Sequence, residues 1–119
     1  MAKILVHLTF GPEAPTRAAL AFLVAKSAVD DGHDVSMFLA GDAVQLLRSP
    51  TIDALLGIGT GSLREHVDAL VAGGATIYAS GMSSAARGLA AEEAGVPIEM
   101  ATPNRLVQLV LDHDRVITY

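Results

Sequence analysis

Short apolar runs alternate with amphipathic stretches along the whole chain. Lys3 to Thr9 (KILVHLT) is apolar on both faces, and Gly11, Pro12 and Pro15 close it. Such a run suits a central parallel strand. Thr16 to Asp31 reads as a helix with Leu20, Leu23, Val24 and Ala28 on one stripe. Pro15 fits its first turn and Gly32 its left-handed stop. Val35 to Leu39 (VSMFL) predicts the second strand, and Ala43 to Leu47 a short helix that Pro50 interrupts. Thr51 to Gly61 carries no regular pattern.

Ser62 to Ala72 predicts a further helix, with Ser62 and Glu65 as an S-x-x-E capping box and Leu63, Val67, Leu70 and Val71 as its apolar stripe. Ala75 to Ala79 (ATIYA) reads as a third strand, Ser80 to Ser84 as a turn, and Ala85 to Ala94 as a helix ended by Gly95. Ile98 to Met100 is a short strand after Pro97. Thr102 and Pro103 form a cap and first helical position ahead of a helix over Asn104 to Asp112. Arg115 to Thr118 (RVIT) predicts the last strand. This alternation predicts a single α/β domain over residues 1–119, with a mostly parallel sheet and helices on both faces.

Composition adds a second expectation. Of 119 residues, 51% are apolar and 18% charged, against about 25% charged in ordinary soluble domains. A small domain with so few charges is expected to bury part of its surface between subunits, as a homo-oligomer. The formal net charge is -5, aromatic residues are 4% of the chain, and the basic residues are scattered. Nucleic-acid binding is therefore not expected. No apolar stretch reaches membrane-spanning length and no signal-peptide pattern opens the chain, which points to a cytoplasmic protein without a membrane partner. The absence of Cys rules out disulfides, thiolate metal sites, thiol nucleophiles and persulfides on the chain itself.

In parallel sheets, ligands bind beyond the carboxyl ends of the strands. Those ends fall at His7 to Phe10, Ala40 to Asp42, Ser80 to Ser84 and Ala101 to Thr102. Ser80-Gly81-Met82-Ser83-Ser84 joins a strand to a helix, so free N–H groups, the serine hydroxyls and Arg87 would suit a small anion or a polarised sulfur. The plainer reading is that Ser83 or Ser84 caps the helix. A serine nucleophile with His7 or Asp42 as base is the weaker alternative, because the segment is not the G-x-S-x-G elbow. Gly57-Ile58-Gly59-Thr60-Gly61 lacks the spacing and the lysine of nucleotide loops and reads as a flexible loop. The four histidines show no metal spacing. His66 reads as packed near its helix's apolar stripe and His33 as exposed. A metal site from His7, His66 or His113 is the remaining alternative. No motif implies a cofactor.

Ser80 to Leu89 (SGMSSAARGL) resembles the strand–turn–helix of DsrE/DsrF-like proteins, the YchN-like fold, in which the strand ends in Cys and Arg-Gly follows in the helix. Asp31 to Val35, Ala40 to Val44 and His113 to Ile117 resemble other turns and the closing strand of that family, in the same order. The resemblance implies a three-layer, flavodoxin-like α/β fold that assembles as trimers, hexamers or hetero-oligomers. It also implies a sulfur relay, with a persulfide on the family's Cys. That position is Ser80 here, and a second common Cys position is Ser83. A hydroxyl cannot carry sulfane sulfur and ionises far above neutral pH. The resemblance thus predicts an oligomeric binding or accessory subunit without its own persulfide chemistry. The ligand-binding candidates are Ser80, Met82, Ser83, Ser84, Arg87, His7 and Asp42. Two alternatives stand beside it: an enzyme using Ser80 or Ser83, or a relay subunit shaping a site whose thiol comes from another sulfur-relay protein.

Overall fold

The computed structural model describes residues 1–119. Five parallel strands form the main sheet: β1 (Lys3–Leu8), β2 (Asp34–Leu39), β5 (Thr76–Ser80), β6 (Glu99–Ala101) and β7 (Arg115–Thr118), in the order β6-β5-β2-β1-β7. The helices are α1 (Pro15–Asp30), α2 (Ser49–Ala54), α3 (Leu63–Ala72), α4 (Gly81–Ala86) and α5 (Pro103–Asp112). A two-stranded antiparallel hairpin, β3 (Leu56–Gly57) with β4 (Gly61–Ser62), precedes α3. This is the flavodoxin-like α/β arrangement, with helices on both faces of a parallel sheet.

From β1 to β6 the chain steps across the sheet in one direction, then returns to the far edge for β7. Right-handed crossovers require the returning helix to lie on the opposite face. Accordingly α1, α2, α3 and the 3₁₀ helix Gly41–Leu47 bury Phe22, Ile52, Leu63, Leu70 and Leu47 against Val6, Leu8, Met37 and Leu39 on one face. The other face holds Leu5, Phe38, Tyr78 and Ala101, and only α5 covers it, through Leu109 and Leu106. A helix is about 10 Å across with its side chains, while five strands span about 19 Å side by side. One helix therefore leaves parts of this face thinly covered.

The structure corrects several expectations. On α1 the buried stripe is Ala18, Ala21, Phe22 and Ala25, and Leu20 stays 37% exposed. Alanines let the helix lie close to the sheet and the hairpin, with Phe22 the one large side chain fully buried among them. Pro50 opens α2 rather than ending a helix, because the first turn needs no proline N–H. Residues 58–60 form the hairpin turn closed by the Gly57–Gly61 pair, where His66 Nε2 meets the Thr60 carbonyl at 2.6 Å. The helix expected over Ala85 to Ala94 begins instead at Gly81 and ends by Arg87. Gly88 follows at φ +67°, the left-handed conformation that stops a helix. A 3₁₀ turn, Ala91–Glu93, follows. His33 is half-buried rather than exposed, because its Nδ1 accepts the Ala2 N–H at 3.0 Å. No helix is long and apolar enough to cross a membrane.

Candidate functional site

The corner where β5 meets α4 is built from hydroxyls used as local acceptors. Ser80 ends the strand 9% exposed, and its Oγ accepts the Ser83 N–H at 3.2 Å, capping α4. Ser83 Oγ in turn accepts the Gly41 N–H at 2.8 Å, tying the corner to the turn after β2. Arg87 closes the same junction. Its Nη2 donates to Asp42 Oδ1 at 2.9 Å and its Nη1 to the Ser83 carbonyl at 3.2 Å. Arg48 reaches over to donate to the Arg87 carbonyl at 2.6 Å. Gly11 presses the β1–α1 loop onto this junction, and a Cβ there would run into the Asp42 carbonyl.

Four of the seven sequence candidates, Ser80, Ser83, Arg87 and Asp42, therefore come together, but bonded to one another. Ser84 is 1% exposed, and its Oγ has no hydrogen-bond partner. Met82 is 73% exposed. His7 lies elsewhere. It sits on the α5 face of β1, edge-on to Phe38 with ring centroids 5.8 Å apart, two strands and two residues away from Ser80. Strand spacing and rise put the two backbones about 12 Å apart. His7 cannot act as base to Ser80. Burial pushes its imidazole pKa below the ordinary value, and Nε2 is buried without a partner. Asp42 contacts Arg87 rather than either serine, so no nucleophile–base pair exists at this corner.

The histidines do not converge on a metal. His66 packs under the hairpin on α3, 6% exposed. His113 Nε2 meets Ser36 Oγ at 3.2 Å and its Nδ1 the Leu109 carbonyl at 2.6 Å. No cluster of three His, Asp or Glu side chains has metal-binding geometry.

A cleft does open nearby, between the carboxyl ends of β5 and β6. After β5 the chain turns toward one face of the sheet, and after β6 toward the other, so their connections part there. Such switch points are the usual place for ligand crevices. The cleft holds about 320 Å³ and is lined by Tyr78, Gly81, Glu99, Met100, Thr102 and Arg105, with Ala101 between. Of the sequence-predicted strand ends, Ala101 and Thr102 line it, and of the Ser80 to Ser84 turn only Gly81 reaches it. Tyr78 forms its floor, backed by Phe38 at 6.3 Å with rings nearly parallel. Arg105 lies over the Tyr78 ring, 5.5 Å from its centroid, and donates to Tyr78 Oη at 3.3 Å. Sequence reasoning passed over Arg105 and Glu99, since they stand on different elements with no local motif between them.

The model of the DsrE/DsrF-like family matches residues 2–119. The chain belongs to the DsrE/DsrF-like family. Solved structures share its fold over essentially their whole length. The YchN protein of E. coli is 22% identical, with a TM-score of 0.83 and 100% of both chains covered. MTH1491 of Methanobacterium thermoautotrophicum, described as of unknown function, is 15% identical with a TM-score of 0.75 over 100% of both chains. BT1422 of Bacteroides thetaiotaomicron, also of unknown function, is 15% identical with a TM-score of 0.72, covering 99% of this chain and 95% of its own. At these identities the likeness concerns the fold. No curated protein matches the chain. This DsrE/DsrF-like chain has no cysteine, so the family's thiol has no counterpart anywhere in it.

Proposed function

We propose that this DsrE/DsrF-like chain works as a non-catalytic, oligomeric binding or accessory subunit related to sulfur-relay proteins. One observation carries the reading. The hydroxyl standing where the family resemblance places its Cys is spent capping α4, inside a closed set of bonds among Ser80, Ser83, Gly41, Arg87 and Asp42. A hydroxyl so used has no adjacent base and cannot hold sulfane sulfur.

Assembly is supported by the thinly covered face. α5 buries Leu109 but leaves Val107 59%, Val110 42% and Leu111 81% exposed, and Val116 on the neighbouring edge strand is 39% exposed. Apolar exposure of this extent on a ten-residue helix fits a face that a second copy covers, in a trimer or hexamer. A cytoplasmic location fits the cysteine-free sequence. The test is sulfur transfer from a persulfide donor to a thiol acceptor. The chain is expected to leave the uncatalysed rate unchanged at every concentration, and acceleration by the pure protein would overturn the reading.

A further inference from the structure

The cleft at the β5–β6 switch point carries two opposite charges that do not meet. Glu99 pairs in register with Tyr78 across the β5–β6 ladder, so both side chains stand on the α5 face of the sheet. Arg105 comes down from the first turn of α5 onto the same tyrosine. Tyr78 is thus flanked by a carboxylate on the strand side and a guanidinium on the helix side. The five ion pairs of the molecule engage Lys3, Lys26, Arg64 and Arg87 with Asp residues, and neither Arg105 nor Glu99 takes part in one.

Elsewhere the side chains behave differently. Arg64 finds both Asp53 and Asp68, and Arg87 finds Asp42. At the cleft Arg105 donates to Tyr78 Oη instead of to a carboxylate, and Glu99 stays exposed without an ion pair. The helix end itself supplies little. Thr102 Oγ1 already accepts the Arg105 N–H at 3.2 Å, and Pro103 has no N–H to offer. Recognition therefore falls to the two charged side chains and the apolar surface between them. That surface is the Tyr78 ring with Ala101 on the same face of the sheet.

We infer that this cleft binds a small zwitterion, the α-amino-acid head group, with its carboxylate on Arg105, its ammonium on Glu99 and its side chain along Tyr78 and Ala101. A planar guanidinium is the favoured partner of a carboxylate, and a carboxylate that of an ammonium. The volume, about 320 Å³, lies at the small end of ligand sites, roughly 300–1,000 Å³, which suits one amino acid rather than a nucleotide. The inference is independent of assembly and of sulfur chemistry, since all the groups named belong to one chain and none is a thiol.

Free L-leucine serves as the probe, with 4-methylpentanoate, which lacks the ammonium, and 3-methylbutylamine, which lacks the carboxylate. Binding to the ¹⁵N-labelled full chain is read from the amide shifts of Gly81, Ala101 and Thr102. Leucine is expected to shift these amides saturably, and each analogue to bind at least about tenfold more weakly, the loss of one charged contact. Arg105→Gln is expected to abolish the leucine shifts. Glu99→Gln is expected to make leucine and 4-methylpentanoate bind alike. Both positions are solvent-exposed, and retained spectral dispersion confirms that the variants fold. Equal binding of leucine and 4-methylpentanoate to the unaltered chain would mean a simple anion site and overturn the inference. So would amide shifts that do not saturate with leucine, or shifts that survive Arg105→Gln.

Discussion

Two neighbouring serines on α4 should respond to the same substitution with opposite signs. Ser83→Ala removes the acceptor for the Gly41 N–H, a 2.8 Å bond joining segments 42 residues apart. A buried donor left without a partner costs about 1–3 kcal/mol. Gly41 is only half-buried, so water partly replaces the lost oxygen and the cost belongs near the lower end, about 1 kcal/mol, which alanine's better helix propensity trims to a net loss of about 0.5 kcal/mol. Ser84→Ala removes a hydroxyl that is 1% exposed and bonded to nothing. Burying an unpaired hydroxyl is itself unfavourable by about 1–3 kcal/mol, and alanine is also the better helix former by roughly 0.5 kcal/mol. The methyl that remains fills most of the same space. Ser84→Ala should therefore stabilise the fold by about 1 kcal/mol. In a chain of this size each kcal/mol moves the melting temperature by about 4 °C. Thermal melts followed by circular dichroism at one fixed protein concentration should show Ser83→Ala below the unaltered chain and Ser84→Ala above it. A larger loss for Ser84→Ala than for Ser83→Ala would refute this description of the corner.

Other outcomes follow from the same geometry. Ser80→Ala should lose the α4 cap and about 1 kcal/mol, measured by urea denaturation, while the fold persists. In Ser80→Cys the thiol takes the place of a side chain on a 9% exposed residue, so iodoacetamide should modify it far more slowly than the thiol of Met82→Cys at a 73% exposed position. Gly11→Ala forces a methyl against the Asp42 carbonyl and should cost about 2 kcal/mol in the same denaturation assay. Burial lowers the His7 pKa from 6.5, so the unfolded chain takes up the proton first as pH falls. This contribution to stability is whole above pH 6.5 and is lost as pH drops through the lowered value. Stability measured against pH should accordingly fall less steeply on the acid side in His7→Gln.

Much of the fold was legible because periodicity reports burial directly. β1, β2, β5, β7, α3 and α5 lie within a residue or two of the positions that the apolar pattern predicts. The Thr102 cap forms as expected, and Ser62 Oγ meets the Glu65 N–H at 3.5 Å. What the pattern hid has local physical causes. Alanine counts as weakly apolar, so the inner alanines of α1 were masked by Leu20, which stays exposed, and by half-buried Leu23. Serines favour both turns and helix starts, so Ser80-Gly81-Met82-Ser83-Ser84 did not announce that α4 begins at once. Gly88, which ends that helix, carries its information in a backbone angle. The corner's location was legible, yet its closure by Asp42 and Gly41 depends on the β2–β5 pairing, a long-range contact. Tyr78, Glu99 and Arg105 converge for the same reason, through β5–β6 pairing and the direction in which α5 leaves the sheet.

The oligomeric part of the proposed role rests on the face that α5 leaves apolar. Native mass spectrometry of the untagged protein at micromolar concentration tests it most directly. The account predicts a species that is a whole multiple, three or six, of the 12.3 kDa chain, reduced to the single chain by Leu111→Glu. A lone 12.3 kDa species from the unaltered protein would contradict it.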